Sequence, residues 1–145
     1  MVFCLKSISL GGICSNFACA KCCKDTDMLL SREDIARIQA LGFSKDEFCF
    51  LDSEGFYKLQ NINGSCFFLK NNQCKIYSNR PQGCKFYPII FDVDNNKSVC
   101  DNECPLKDSL SEKLIVSFSS DLRKFINLLM EENEKLKKDK IDKEC

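Results

Sequence analysis

Cysteine is the residue that could do chemistry in this chain, which has 12 cysteines and no histidine in 145 residues. A thiolate is a soft ligand that binds zinc or the iron of an iron–sulfur cluster, and four thiolates complete a tetrahedral site. Ten of the cysteines lie between positions 14 and 104, and the nine of them other than Cys49 are enough for two mononuclear sites or a polynuclear cluster. These candidate metal ligands are Cys14, Cys19, Cys22, Cys23, Cys66, Cys74, Cys84, Cys100 and Cys104.

The spacing of the first cysteines argues against an ordinary zinc ribbon. The chain has a single CxxC pair, formed by Cys19 and Cys22, where a zinc ribbon has two. Cys22 and Cys23 are adjacent, and we expect adjacent side chains to point apart, so that chelation of one ion by both is strained. Two metals or a cluster would use this pair better.

The other three cysteines are not predicted to be ligands. Cys4 and Cys49 lie among apolar neighbours, where a cysteine usually behaves as a small buried hydrophobic residue. Cys145 is predicted to be an exposed thiol of the tail.

A disulfide framework is the alternative use of so many cysteines. It requires export, and a secretory signal needs an apolar run of roughly 7–15 residues. Lys6, Ser7 and Ser9 interrupt the apolar residues at the start of this chain, and no stretch approaches the roughly 20 apolar residues that cross a bilayer. We therefore expect a soluble, cytoplasmic protein with reduced thiols, while the even number of cysteines keeps the disulfide alternative open.

The charge balance bears on the kind of partner. With 21 basic and 21 acidic residues, the chain has a formal net charge of +0. Such a chain has no positive field to recruit nucleic acid or an anionic membrane surface. The expected ligand is therefore a metal ion or cluster, with no nucleic-acid and no membrane partner.

Two helices are predicted in the N-terminal half. Ser31 can cap a helix over residues 30–41, and the side chain of Asp34, three residues later, can complete a capping box with it. Gly42 can end the helix. Its apolar face would consist of Ile35, Ile38 and Leu41. A shorter helix over residues 45–50, capped by Ser44, would turn Phe48 and Leu51 inward.

Short antiparallel hairpins are predicted in the middle of the chain. Asn63-Gly64 would join residues 56–62 to 65–70 through a type I′ turn. Asn71-Asn72 would then reverse the chain and bring Cys66 and Cys74 to neighbouring strand positions.

A further turn and a flexible glycine follow. Gly83 is predicted to give the backbone a wider choice of conformations just before Cys84. This freedom would allow the Cys84 thiol to point inward. Asn95-Asn96 would join residues 87–93 to 97–100 in another hairpin.

A helical period returns from Ser109, and Ser119-Ser120-Asp121 could start a second helix within it. Its apolar stripe would consist of Leu110, Leu114, Ile115, Phe118, Leu122, Phe125, Ile126 and Leu129.

The predicted fold class is α+β: a small cysteine-rich single domain with short antiparallel β hairpins around a metal cluster, a helix in the N-terminal half and a long C-terminal helix. Residues 1–130 would form the cysteine-cluster domain, including the packing helix, and residues 131–145 a polar helix end and frayed tail.

Three runs of residues carry a resemblance to a known family. They are Gly64-Ser-Cys66-Phe-Phe-Leu69, then Cys74-Lys-Ile-Tyr77 with Arg80-Pro81, then Cys84-Lys-Phe-Tyr-Pro88. Phe17-Ala-Cys19-Ala-Lys-Cys22-Cys23 and Cys104-Pro105 add to them. The chain resembles the YkgJ-type cysteine-cluster family, which is named for zinc or iron chelation and has an N-terminal CxxCxxCC motif. The likeness spans roughly residues 14–105.

The resemblance implies a ligand set and leaves one place open. The first cysteine of CxxCxxCC would fall on Asn16, whereas this chain has Cys14 two positions earlier. Cys14 and Cys100 are therefore the two candidates for the remaining metal ligand. The implied ligands are Cys19, Cys22, Cys23, Cys66, Cys74, Cys84 and Cys104.

The family likeness extends to the cysteine-cluster region of flagellin lysine-N-methylases, which implies an alternative function. The chain could be a component or relative of an S-adenosylmethionine-dependent protein lysine methyltransferase, or a redox enzyme. It has no glycine-rich nucleotide loop and no histidine to act as a base, so metal binding remains the first interpretation and no catalytic residue is predicted. Metal storage or delivery is a third class, which would require exchangeable, partly exposed thiolates.

Overall fold

A computed structural model gives the fold, and it describes residues 21–104 and 107–144. The predicted ligands Cys14 and Cys19 lie outside these residues. So do Cys4 and Cys145.

The described chain is a mixture of helices and short antiparallel strands. Its helices are α1 (Arg32–Gln39), α2 (Lys45–Phe48), α3 (Gln82–Phe86), α4 (Glu112–Ser117) and α5 (Ser119–Glu144). Single 3₁₀ turns lie at Lys21–Cys23, Tyr77–Asn79 and Lys107–Ser109. The strands are β1 (Leu29–Leu30), β2 (Cys49–Leu51), β3 (Tyr57–Leu59), β4 (Asn61–Ile62), β5 (Ser65–Cys66), β6 (Leu69–Lys70), β7 (Gln73–Cys74), β8 (Ile89–Asp92) and β9 (Lys97–Cys100).

The capping box predicted for the first helix is confirmed. The backbone N–H of Asp34 donates to Ser31 Oγ at 3.0 Å, and the N–H of Ser31 donates to Asp34 Oδ2 at 3.1 Å. Ile35 and Ile38 are buried, as predicted. The prediction for Leu41 is wrong: the helix ends at Gln39, and Leu41 is 45% exposed beyond it.

The second helix is shorter than predicted. It begins after Ser44, whose backbone N–H donates to Glu47 Oε2 at 3.1 Å, and it ends at Phe48. Residues 49–51 form β2 instead, because they pair with β3, where Cys49 lies opposite Leu59. Phe48 is fully buried as predicted, whereas Leu51 is only half-buried.

The Asn63-Gly64 turn is confirmed, but the predicted hairpin around it is wrong in extent. Both turn residues have positive φ, +51° and +77°. Only β4 and β5 pair across it. Strand β3 cannot take part, because it is already the central strand of a sheet with β1 on one side and β2 on the other.

The prediction that Cys66 and Cys74 occupy neighbouring strand positions is also wrong. Cys66 pairs with Asn61, and Cys74 pairs with Leu69 in the separate β6–β7 hairpin. The turn at Asn71-Asn72 is confirmed, with both residues at positive φ. The two thiols therefore end two successive hairpins and do not face each other across one.

The last hairpin, β8–β9, turns at Asn95-Asn96 as predicted. Its first strand begins at Ile89, later than predicted, because residues 82–86 form α3 and Pro88 has no N–H to pair.

The break in the C-terminal helical region is confirmed, and it lies at Phe118, between α4 and α5. Ser111 caps α4 by accepting the N–H of Leu114 at 3.2 Å. Leu114 itself is 38% exposed, so its place in the predicted apolar stripe is wrong. Helix α5 continues to Glu144, and Asn133 near its middle is buried and donates to the carbonyl of Glu54 at 2.8 Å.

Two apolar clusters hold these elements together. The first surrounds Ile38, Phe48 and Phe68, and Cys23, Cys74 and Cys84 pack against it. The second joins Phe86 and Ile89 to α5 and consists of Phe86, Ile89, Phe118, Leu122, Phe125 and Leu129. No described helix combines the length and the apolar character that a membrane span needs. The predicted mixture of helices, antiparallel hairpins and a long C-terminal helix is thus confirmed, while the metal cluster stays a prediction.

Candidate metal centre

Cys22 and Cys23 lie in the first 3₁₀ turn, and their sulfur atoms converge. The Sγ–Sγ distance is 3.9 Å, so the expectation that these adjacent side chains point apart is wrong. Zinc–sulfur bonds of about 2.3 Å in a tetrahedron would separate two sulfurs by about 3.8 Å. The pair therefore has the spacing of two ligands on one tetrahedral metal.

Backbone pairing places this turn beside β5. An antiparallel bridge joins Lys24 to Ser65, and the N–H of Asp25 donates to the carbonyl of Gly64 at 2.9 Å. Partners in an antiparallel pair run in opposite directions, so the residue before Lys24 lies near the residue after Ser65. Those two residues are Cys23 and Cys66.

Cys66 and Cys74 receive hydrogen bonds from the backbone that follows them. Burial raises the pKa of Cys66, and the N–H groups of Phe68 and Leu69 partly oppose this by donating to its sulfur. Burial likewise raises the pKa of Cys74, and the N–H of Ile76 opposes it. These donors stabilise negative charge on sulfur, which is the form that a metal ligand takes.

Helix α3 positions Cys84, and Asp34 positions α3. The buried Asp34 Oδ1 accepts the N–H of Gln82 at 3.0 Å and Arg37 Nη2 at 2.8 Å. Arg37 Nη2 also donates to the carbonyl of Arg80 at 3.0 Å. Asp34 was predicted only as a helix cap, but the same carboxylate ties α1 to the segment that carries Cys84.

Gly83 has a different role from the predicted one. It adopts no positive φ, so backbone freedom is not the reason for a glycine here. A Cβ at this position would instead overlap Met28 Sδ. The glycine therefore allows α3 to pack closely against the residue before β1.

The charges of these thiols affect one another. We refer to Cys22, Cys23, Cys66, Cys74 and Cys84 as the five-thiol set. Burial raises the pKa of Cys84 well above its ordinary value, and negative charge on Cys66, Cys22 or Cys74 raises it further. The pKa of Cys23 is raised by its hydrogen bond with Cys22, by burial, and by the charges of Cys22, Cys66 and Cys84.

Cys22 is the exception within the set. Its hydrogen bond with Cys23 lowers the pKa of Cys22 to about 7, against the effect of burial and with help from the charge of Arg80.

Among residues 21–104 and 107–144, no three Cys, Asp or Glu side chains are grouped closely enough to hold a metal ion as they stand.

Cys100 and Cys104 flank a turn at the end of β9. Asp101 supports this turn, because its carbonyl accepts the N–H of Cys104 at 3.2 Å. Burial raises the pKa of Cys100, and the charge of Cys104 raises it further. Thiols of both groups act on Tyr87: burial raises its pKa first, followed by a hydrogen bond with Asp101 and the charges of Asp101, Cys104 and Cys22.

Cys49 shares the first apolar cluster with Cys66, and the charges that act on its pKa are those of Lys45 and Asp46. It is 4% exposed in the first apolar cluster, and burial raises its pKa. Cys49 is therefore buried, as its apolar neighbours in the sequence predict.

The comparisons with known proteins give a family match over the part of the chain that contains these cysteines. Residues 13–105 match a protein-family model named CxxCxxCC and described as "Putative zinc- or iron-chelating domain". The chain matches no curated protein and no solved structure. The matched residues make up more than half of the chain and contain the five-thiol set and the Cys100–Cys104 pair, and the chain belongs to the CxxCxxCC family.

Proposed function

We propose that this protein binds zinc or an iron–sulfur cluster through cysteine thiolates. The observation that carries the proposal is the spacing of Cys22 and Cys23, whose sulfurs lie 3.9 Å apart beside the strand that holds Cys66. The chain has no histidine, which is another common ligand of zinc in proteins. The proposed ligands are Cys19, Cys22, Cys23, Cys66, Cys74, Cys84 and Cys104, with Cys14 or Cys100 in the remaining place.

Metal binding also explains the electrostatics of the five-thiol set. Burial and mutual repulsion raise the pKa of Cys66, Cys74 and Cys84, so these thiols hold their protons when no metal is bound. A divalent ion replaces those protons and supplies the positive charge that the buried sulfurs lack. The backbone donors to Cys66 and Cys74 then stabilise the thiolates.

We further propose that the protein works in a reducing compartment, the cytoplasm, with neither nucleic acid nor membrane as its partner. Cys22, Cys23, Cys49, Cys66, Cys74, Cys84 and Cys100 form no disulfide bond. The Cys22 and Cys23 sulfurs at 3.9 Å are in contact but not bonded, because a disulfide bond is only about 2.05 Å long.

The alternative function, a methyltransferase-related or redox enzyme, finds no specific support among the described residues. Bound iron together with acid-labile sulfide would be the finding that favours it. Zinc alone would favour a structural centre.

Anaerobic purification followed by elemental analysis, a sulfide assay and an absorption spectrum tests the proposal. We expect stoichiometric metal, either as zinc with featureless visible absorption or as iron and sulfide with charge-transfer bands. Folded protein without metal and with its thiols paired in disulfides would overturn the proposal.

A matched pair of variants tests the ligand assignment. Cys84→Ser and Cys49→Ser both place a hydroxyl at a position whose thiol pKa is raised by burial, but only Cys84 belongs to the five-thiol set. We expect Cys84→Ser to lose most of its metal and Cys49→Ser to keep it, although both lose stability. Cys145→Ser should change neither property. Equal metal loss in the Cys84 and Cys49 variants would contradict the assignment.

A further inference from the structure

An open cavity lies between the turn that follows α1 and the end of β7. Its volume of about 370 Å³ falls within the range of small-molecule sites, which is about 300–1,000 Å³. One wall consists of Leu41 and Phe43, and the other of residues 74–79. Of the lining residues in the described chain, Cys74 alone is a proposed metal ligand. The cavity is therefore a feature that metal binding leaves unexplained.

A single buried residue, Phe68, holds the two walls of the cavity in place. Phe68 is 1% exposed in the first apolar cluster, and the ring of Phe43 packs edge-on against it with 5.0 Å between the ring centroids. The backbone N–H of Lys75 donates to the carbonyl of Phe68 at 2.8 Å. Because both walls are tied to the same core residue, the cavity is preformed.

Two large apolar side chains of the cavity are exposed. Leu41 was predicted to face the core but is 45% exposed, and Tyr77 is 43% exposed. Arg80 fixes the tyrosine ring, because its Cζ lies 4.1 Å from the ring centre and its Nη1 donates to the Tyr77 carbonyl at 2.8 Å. Exposed apolar groups that meet in one cavity, with a ring held in place among them, indicate a site for an aromatic ligand.

The charge at the cavity is positive. Lys75 lines it and is exposed, and the guanidinium group of Arg80 lies against the Tyr77 ring. Within residues 21–104 and 107–144, no carboxylate lies within 4.0 Å of the Lys75 ammonium or of the Arg80 guanidinium group. The contacts of Arg80 with Tyr77 are made to neutral groups and leave its charge uncompensated. A ligand that complements this cavity therefore carries negative charge beside its apolar part.

We propose that this cavity binds small aromatic carboxylates, and we refer to it as the Leu41–Tyr77 cavity. The aromatic part of the ligand contacts Leu41, Phe43 and Tyr77. Its carboxylate pairs with the ammonium group of Lys75, and the nearby charge of Arg80 adds to the attraction. Neither part of this binding requires a bound metal.

Fluorescence titration of the full chain tests this proposal, with naphthalene-2-carboxylate and its neutral counterpart naphthalene-2-methanol as probes. The chain has no tryptophan, so the naphthalene emission is read without overlap from that residue. We expect the carboxylate to bind about 3- to 10-fold more tightly than the alcohol at low salt, because only the carboxylate pairs with Lys75. High salt should remove most of this preference. Acetate, which lacks the apolar part, should not compete at equal concentration.

Variants assign each part of the ligand to a side of the cavity. Lys75→Gln should at least halve the preference for the carboxylate, and Lys75→Arg should keep it. Leu41→Ala should weaken the binding of both probes by about 2- to 5-fold, because apolar contact is lost. Lys97→Gln and Leu114→Ala are the matched controls and should leave both affinities unchanged, since these exposed side chains do not line the cavity.

Amide NMR shifts locate the bound probe. We expect the largest changes at residues 41–43 and 74–79 when naphthalene-2-carboxylate is added. Equal affinity for the two probes, a preference unchanged by Lys75→Gln, or largest shifts outside these residues would overturn the Leu41–Tyr77 cavity as a carboxylate site. Any of these results would leave the proposed metal binding intact, because metal content is measured without the probe.

Discussion

The carboxylate of Asp34 accepts the backbone N–H of Gln82 at 3.0 Å, which links the start of α1 to the start of α3. Asp34 is 1% exposed, and its Oδ1 also accepts Arg37 Nη2 while its Oδ2 accepts the N–H of Ser31. One buried side chain thus completes a helix cap and fixes the segment that carries Cys84. The position of Cys84 therefore depends on a residue 50 positions earlier in the chain.

Asp34→Asn should lower the free energy of unfolding by about 1–3 kcal/mol. The amide keeps one acceptor oxygen but loses the charge that partners Arg37. Urea unfolding followed by circular dichroism measures the change. Glu33→Gln, an exposed change on the same helix, is the control and should shift stability by about 0.5 kcal/mol or less. Equal effects of the two substitutions would mean that the Asp34 network contributes little.

Gly83→Ala should destabilise the protein by about 1–3 kcal/mol through overpacking. The new methyl group would overlap Met28 Sδ, and relief of this overlap would shift α3 and lower metal retention. Thermal unfolding and metal content are the measurements.

Removal of the obstructing side chain tests that mechanism. In a Met28→Ala background, Gly83→Ala should cost little or nothing further, because the space is then empty. Gly42→Ala is the matched control: its φ is +103° with no neighbour within 4 Å of a Cβ, so its cost comes from the backbone and should be the same in both backgrounds. An unchanged cost of Gly83→Ala without Met28 would exclude the steric explanation.

Local signals in the sequence predict turns and caps well. The capping box at Ser31 and the turns at Asn63-Gly64 and Asn71-Asn72 depend on a few adjacent residues, so their chemistry can be read directly. Strand pairing depends on distant residues. Residues 56–62 were predicted to pair forward across the Asn63-Gly64 turn, but Tyr57–Leu59 lies between β1 and β2.

The same limit applies to the candidate site. The cysteines were recognisable by type and spacing, but the convergence of the Cys22 and Cys23 sulfurs depends on a 3₁₀ turn and a bridge to Ser65 that no local pattern predicts. Asp34 and Arg37, three residues apart, could have been recognised as an ion pair within the helix. Their bonds to Gln82 and to the carbonyl of Arg80 could not, because those partners are 43 or more positions away.

Metal removal should loosen the first apolar cluster and leave the second nearly unchanged. Cys66 belongs to the first cluster, and Cys23, Cys74 and Cys84 pack against it, whereas the second consists of Phe86, Ile89 and residues from 118 to 129. We expect amide hydrogen exchange over residues 64–76 to accelerate by about 10-fold or more after chelation, with little change over residues 119–130. Equal acceleration in both regions would show that the metal stabilises the whole fold and not the first cluster alone.

The metal-free protein should react with iodoacetamide first at Cys22. The thiolate is the reactive form, and the hydrogen bond with Cys23 lowers the pKa of Cys22 to about 7. The alkylation rate should therefore rise with pH around a midpoint near 7, while the midpoint for Cys100, whose pKa burial raises, should lie above the ordinary value of 9.0. Mass spectrometry of peptides from pH 5 to pH 10 gives both midpoints. Cys23→Ala removes the hydrogen bond and should move the Cys22 midpoint up toward 9.0. An unchanged midpoint in that variant would assign the low pKa to the backbone hydrogen bond at Cys22 and to Arg80 instead.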